Sequence, residues 1–310
     1  SWEKTLQING NYPLAHQGIA MALYKQEQYE DSMAAYRRAG DYAGYSKAFA
    51  RYRYEMFRAN FLLVAFLAAA SLVLLVFLVG KAKKSADKAI ALLYEGTERS
   101  LGPINLMRGS FAVIFHPGEL FGLVKRHRTR LIYWPSILLF VLMAAARVYQ
   151  IYGTHYGLRM IDPRTANLFS ELGQLLVPIL SFVIMHFAIT SVVGGEAKLG
   201  EIFVATAYST VPYTLLTFLL TLVSPLMAHD EQGIMWVFIY AASGWMYLLF
   251  LASLSLLNDY PPFKTVVVML LVIAGILLMW VTVALGVSLT NKLFDFFTGI
   301  VREIRFSVWR

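Results

Sequence analysis

Six histidines are the first candidates for acid–base or metal chemistry: His16, His116, His127, His155, His186 and His229. They lie in separate segments, and none makes the helical pair that a zinc site needs. There is no cysteine, which removes disulfides and thiolate metal ligands. The spacing Gly195-x-x-x-x-Gly200 copies the glycines of a phosphate loop, but Glu201 stands where that loop requires lysine, and no strand precedes it. No nucleophile–base pair appears within the apolar runs. The expectation is a protein that is not an enzyme and uses no cofactor.

Two ionisable groups are better placed. Arg147 and His186 are the only Lys, Arg or His side chains inside the long apolar runs of this chain, and intramembrane ionisable groups are functional candidates by default. Arg147 sits near the end of its run, where its stem can carry the guanidinium to the interface. His186 reads as a neutral ring hydrogen-bonded between helices rather than as a proton relay. No carboxylate falls within any run to complete a relay, which also argues against an ion-coupled transporter.

Those runs dominate the composition. The chain of 310 residues is 58% hydrophobic and only 15% charged, with a mean hydropathy of +0.58. Soluble domains carry about 25% charged residues. Runs at 59–80, 202–228, 233–258 and 265–291 contain no Asp, Glu, Lys or Arg. Those at 131–152 and 172–193 carry only Arg147 and His186. Each is near the roughly 20 residues needed to cross a bilayer as a helix. The expected fold is all-α, a polytopic membrane bundle of about six spans. The net charge of +8 clusters beside these spans, so anionic lipid rather than nucleic acid is the expected partner of the basic residues.

Residues 1–58 are a different material, polar and rich in tyrosine. The stretch "AMALYKQEQYEDSMAAYRRAG" spaces Ala20, Leu23, Tyr24, Tyr29, Met33, Tyr36 and Ala39 as two short helices broken near Glu27–Gln28. It resembles one tetratricopeptide repeat, with Ala20 where that repeat usually has Gly and Ser32 where it has Ala. Tyr36 and Ala39 fall on its second-helix aromatic and small positions. An ordinary helical hairpin is the plainer alternative. One such unit cannot bury its own face, so it either ends a longer array or docks on a partner. The chain opens on Ser1 without a signal-peptide core, and a preceding segment is expected. Residues 45–58 read as a basic, aromatic helix leading straight into the first span.

The connector at 81–130 holds ten Lys or Arg against four acids. The positive-inside rule makes it cytoplasmic. Residues 1–58 and the C-terminus are then outside, with 59–80 crossing and 131–291 forming a five-span bundle. Lys125, Arg126, Arg128 and Arg130 are expected to hold the aromatic segment before them on the inner leaflet. The tail, 292–310, spaces Leu293, Phe296, Phe297, Ile300, Val301 and Ile304 at helical intervals. It reads as an amphipathic helix lying on lipid or on a partner. Phe296, Phe297 and Ile300, with Tyr24 and Tyr36 on the hairpin, are the expected partner-binding residues.

Two further motifs concern turns. "SFAVIFHPGELFGLVKRHR", 110–128, sets Phe115-His116-Pro117 and Phe121 before the second span. "GGEAKLGEIFVATAYSTVPY", 194–213, sets Gly194 and Gly195 in a polar turn, followed by Ala207, Tyr208 and Pro212. Glycine lets the chain leave a helix through positive φ, Glu196, Lys198 and Glu201 hold the turn in water, and Pro212 kinks the fourth span. Over about 103–310 this order resembles the Yip family of five-span membrane proteins. The resemblance implies a non-enzymatic scaffold or accessory subunit among other membrane proteins. Eukaryotic relatives act in vesicle traffic; the outer hairpin and extra span point to the bacterial type, which implies a place in the cell membrane beside the permease subunits of a sugar importer of the ATP-binding cassette class. A channel or transporter in its own right is the alternative.

Overall fold

In lipid a backbone can satisfy its own polar groups only within a helix or a closed barrel, and the apolar runs of this chain take the first course. The computed structural model describes residues 2–95, 103–126, 133–159 and 162–308, and every regular element among them is helical. Six helical stretches are long and apolar enough to cross a membrane: Phe61–Leu92, Tyr133–Gly153, Leu168–Val192, Leu199–Leu226, His229–Asn258 and Pro262–Ile300. The all-α polytopic bundle read from the sequence is therefore the architecture found.

The N-terminal segment comprises α1 (Trp2–Ile8), α2 (Pro13–Lys25), α3 (Tyr29–Ala39) and α4 (Tyr42–Ala59). The break between α2 and α3 falls where the spacing changes, with Glu27 at a φ of +62°. Ala20, Ala35, Tyr36, Tyr45 and Ala48 form its small core. Inside it, the Ser32 hydroxyl donates to the Ala20 carbonyl at 2.8 Å, so this buried polar group is satisfied. Asp41 caps α4 by accepting the Gly44 N–H at 2.8 Å, and its other oxygen accepts Gln17 Nε2 at 2.9 Å, which ties α2 to the same turn. α4 does not run straight into the first span. It stops at Asn60, and α5 (Phe61–Glu95) begins beyond it.

α5 continues past the membrane stretch as far as Glu95 and packs along α6 (Pro103–Phe115). His116 forms the corner, and Pro117 opens α7 (Pro117–Arg126) at the position where a missing N–H costs nothing. The His116 ring bonds Asp87 of α5 at 2.8 Å, fixing this corner to the first helix.

The bundle follows: α8 (Tyr133–Gly153), α9 (Leu168–Val192), α10 (Leu199–Ser209), α11 (Val211–Val223), α12 (Gln232–Asn258) and α13 (Pro262–Val308). Asn167 starts α9 by accepting the Ser170 N–H at 3.2 Å. The fourth span is α10 plus α11, interrupted at Thr210, two residues before Pro212. It occupies the centre. Ile202, Ala205, Tyr208 and Val211 join Leu139, Leu249 and Leu257 in one core, and Phe182, Phe250, Leu254, Val268 and Val272 form a second beside it. Hydroxyl groups satisfy carbonyls around the interruption: Ser209 donates to Ala205 O at 2.8 Å, Thr210 to Ala207 O at 2.7 Å and Thr214 to Thr210 O at 2.9 Å.

One boundary read from the sequence does not exist as a break. α13 runs unbroken from Pro262 to Val308, so the tail at 292–308 continues the last span rather than forming a separate helix. At 1.5 Å per residue its 47 residues reach about 70 Å, more than twice a hydrocarbon core of about 30 Å.

Candidate functional site

The bundle has two worked ends. At one end the polar turn at 194–198 meets α12. The Gly194 backbone is left-handed at φ +77°, and the Gly195 N–H closes on the Thr190 carbonyl at 2.7 Å. Positive φ is thus confined to Gly194, which corrects the expectation for Gly195. Gly195 is needed for a different reason, close approach. A Cβ there would collide with Asn258 Oδ1 and stand 2.7 Å from Thr190 Cβ and 2.8 Å from the Tyr260 hydroxyl. Asn258 is the organiser that sequence reasoning missed. Its Oδ1 accepts the Ala197 N–H at 3.2 Å, and its Nδ2 donates to Leu254 O at 3.0 Å and lies 3.3 Å from His186 Nε2. His186 is fully buried and belongs to this cluster, as a ring between helices. Glu201 is buried rather than held in water, and it returns to the Lys198 N–H at 3.1 Å to cap α10.

The basic cluster lies at the same end. Lys125 bonds Asp259 and stands 3.5 Å from Glu196, so it clamps α7 to the turns before α10 and α13. Asp259 holds its ammonium above the usual lysine pKa. Leu120, Phe121, Leu123 and Val124 are buried against α10 and α12. The apolar face of α7 therefore rests on protein, which corrects the expectation of an inner-leaflet helix held by lipid. Arg126 ends α7, whereas Arg128 and Arg130 lie outside the described residues.

At the opposite end the N-terminal helices dock on two loops. Arg53 of α4 grips Glu231 with both terminal nitrogens, at 2.6 and 2.8 Å, and reaches Leu226 O at 2.6 Å. Tyr42 stacks on Tyr156 with ring centres 4.5 Å apart, and Tyr45 bonds His155 Nε2 at 3.1 Å. Ser46 accepts the His229 N–H at 2.8 Å. Burial holds His155 below the ordinary histidine pKa, and the Arg159 and Arg37 guanidinium groups push the same way. These contacts put α1–α4 and the loops at 153–159 and 224–231 on one side, and the 194–198 turn, Asp259 and α7 on the other.

Beneath the docked helices lies a cavity of about 410 Å³ between α8, α9, α11 and α12. Arg147 lines it and does not snorkel. Its guanidinium donates to Glu171 Oε2 and to Gln150 Oε1, each at 2.6 Å. Both side chains of the ion pair are largely covered, at 26% and 15% exposure. Glu171 was missed because the apolar run was taken to start one residue later. The cap at Asn167 is the signal that lengthens α9 to include it. Arg159, Gln174, Tyr213 and Trp236 complete the polar lining.

The residues expected to bind a partner divide. Tyr36 is 7% exposed and sits in the hairpin core, so it is a packing residue. Tyr24 is half-buried, edge-on to Tyr29. Phe296 and Phe297 are each 62% exposed and Ile300 37% exposed on the far part of α13.

No curated protein and no solved structure matches the chain. The Yip1 domain matches residues 111–285, from the last turn of α6 to the middle of α13. That match covers more than half of the 310 residues and includes both motifs at the turn end, His116-Pro117 and Gly194-Gly195. With six helices of spanning length among the described residues, the chain is a multi-pass membrane protein belonging to the Yip1 domain family.

Proposed function

We propose that this protein is a non-enzymatic scaffold, an accessory subunit of a larger membrane assembly. One observation carries the reading: among the described residues, nothing in the chain covers the most apolar part of α5, although its far end, at Ala86 and Ile90, packs in the core. Its most apolar window is 0% buried, against 56% for the fourth span. The same holds for the far half of α13, where Leu289 is 61% and Phe294 68% exposed. Lipid tails are as apolar as leucine, so helix association in a membrane comes from close packing and polar contacts. The Ala68-Ala69-Ala70-Ser71 stretch of α5 offers small side chains for close approach. The docked α1–α4 unit, with its repeat-like α2–α3 pair, adds a second surface on the same chain.

The bacterial form of the resemblance specifies this assembly as a sugar importer of the ATP-binding cassette class, with α5 and α13 beside its permease subunits. In that setting the N-terminal helices and the C-terminal end lie outside the cell membrane and α7 in the cytoplasm. The test is extraction from native membranes in a mild detergent, with the stoichiometry of each recovered subunit measured. A permease subunit at fixed ratio supports the reading; a stable monomer alone contradicts it. Impermeant labelling of Thr5→Cys but not Lys83→Cys in intact cells supports the orientation, and the reverse pattern overturns it.

A second reading, a channel or transporter in its own right, gains from the Arg147–Glu171 pair, which sets an acidic group inside a span. It predicts solute flux from the purified chain in vesicles.

A further inference from the structure

The cavity at the docked end holds more charge than its own ion pair accounts for. Arg147 and Arg159 both line it, and Glu171 is the one carboxylate among its lining residues. The local balance is thus one positive charge. Arg147 spends bonds on Glu171 and Gln150, but a guanidinium carries five N–H donors. Arg159 donates by its Nε to the Thr154 carbonyl at 3.1 Å and by its Nη2 to the Tyr152 carbonyl at 3.5 Å, which fixes the guanidinium and leaves Nη1 for a ligand. The amide groups of Gln150 and Gln174 line the same cavity, the latter donating to the Ser170 hydroxyl at 3.3 Å, and Pro178 lacks the N–H that the Gln174 carbonyl would otherwise receive within α9. Ile151, Leu175 and Ile239 add apolar wall to the same cavity.

This combination fits a particular chemistry. A single excess positive charge is matched by a monoanion and is overmatched by a dianion. Paired guanidinium groups recognise a phosphate diester through its two free oxygens. Side-chain amides and a carboxylate with a free lone pair suit hydroxyl groups, which both donate and accept. The apolar walls suit a hydrocarbon chain. The level also fits, since the cavity lies at the ends of α8 and α9, beside Trp236, where membrane headgroups sit. A zwitterionic headgroup would bring its own cation and leave the second arginine uncompensated.

We propose that this cavity is a binding site for an anionic phosphodiester lipid with a hydroxylated headgroup, its phosphate held between Arg147 and Arg159 and its hydroxyl groups on Glu171 and Gln174. The site is independent of the partner reading above, because it is built wholly within one chain.

The experiment is native mass spectrometry of the full chain in detergent, titrated separately with phosphatidylglycerol, phosphatidylcholine and the chain-free diester glycerophosphoglycerol. The wild-type chain binds one phosphatidylglycerol at least tenfold more tightly than one phosphatidylcholine. Arg159→Gln abolishes that preference, whereas Arg164→Gln, which removes an equal charge on the same side but away from the cavity, retains it. Arg147→Lys, which keeps the charge for Glu171 but loses the fork, weakens the preference and leaves thermal stability near wild type. Equal binding of the two lipids, or equal behaviour of Arg159→Gln and Arg164→Gln, overturns the site. Glycerophosphoglycerol binding as tightly as the lipid overturns the lipid as its source.

Discussion

The fourth span and the first differ as much as two helices of one protein can. The fourth, α10 with α11, is covered over more than half of its most apolar window; the first, in α5, is covered over none of it. Their sequences show why. The fourth interleaves Ala205, Ala207, Ser209, Thr210, Thr214, Thr217 and Thr221 among its larger residues. Small and hydroxylated side chains let neighbouring helices approach and return hydrogen bonds to their own backbone. The first presents Leu62, Leu67, Leu72 and Leu75 around its circumference, each at least 55% exposed. A helix of that kind contributes little to the fold of its own chain. The difference teaches that spanning the membrane and building the bundle are separate tasks here, given to different helices.

The largest way to break the comparison is at the turn that leads into α10. Gly195→Val should destabilise the bundle by about 3 kcal/mol or more, from overpacking and from loss of the Asn258–Ala197 bond. Gly194→Ala, which only strains the backbone, should cost about 1 kcal/mol. Thermal unfolding in detergent orders the two, and equal losses would remove the close-approach account.

A matched pair sharpens it next. Ala205 is fully buried, so Ala205→Leu should cost about 1–3 kcal/mol by overpacking. Ala69→Leu in the uncovered stretch of α5 should leave the melting temperature of the isolated chain unchanged. If both cost the same, α5 is packed within the chain after all.

The smallest effect concerns the dock of α4. The His155 pKa is lowered in the fold, so the neutral ring is the form that docks. As pH falls below the unfolded value of about 6.5, protons bind the undocked chain first. Docking is therefore complete above that value and weakens as pH falls towards the folded pKa. Hydrogen exchange in 42–59 should rise between pH 7.5 and 5, and His155→Gln should flatten that rise. Arg53→Ala, which removes the guanidinium from Glu231, should raise exchange at every pH.

Much of this was legible. The six spans follow from charge-free runs, because a run of that length has few other places to go. The α2–α3 break follows from the change in apolar spacing at Glu27. What escaped reading depended on where an element's face or end comes to rest. Glu171 lay one residue outside a run that was bounded by charge, although a helix is bounded by its cap, Asn167. The α7 face looked like a lipid face, since ten amphipathic residues do not reveal whether protein or bilayer covers them. Tyr36 looked available because aromatic residues serve cores and interfaces alike. Asn291 and Lys292 suggested a border in α13, yet both are tolerated within a helix, and no Gly or Pro cap follows them.

The central claim is that the uncovered helices meet another protein. It is tested most directly by a photo-crosslinking side chain placed at Leu67 or Leu74 of α5, or at Leu285 of α13, and activated in native membranes. The account predicts one discrete protein adduct from each position, of the same identity across repeats, and none from a control at the buried Ala205. Adducts to lipid alone at all three exposed positions would contradict it.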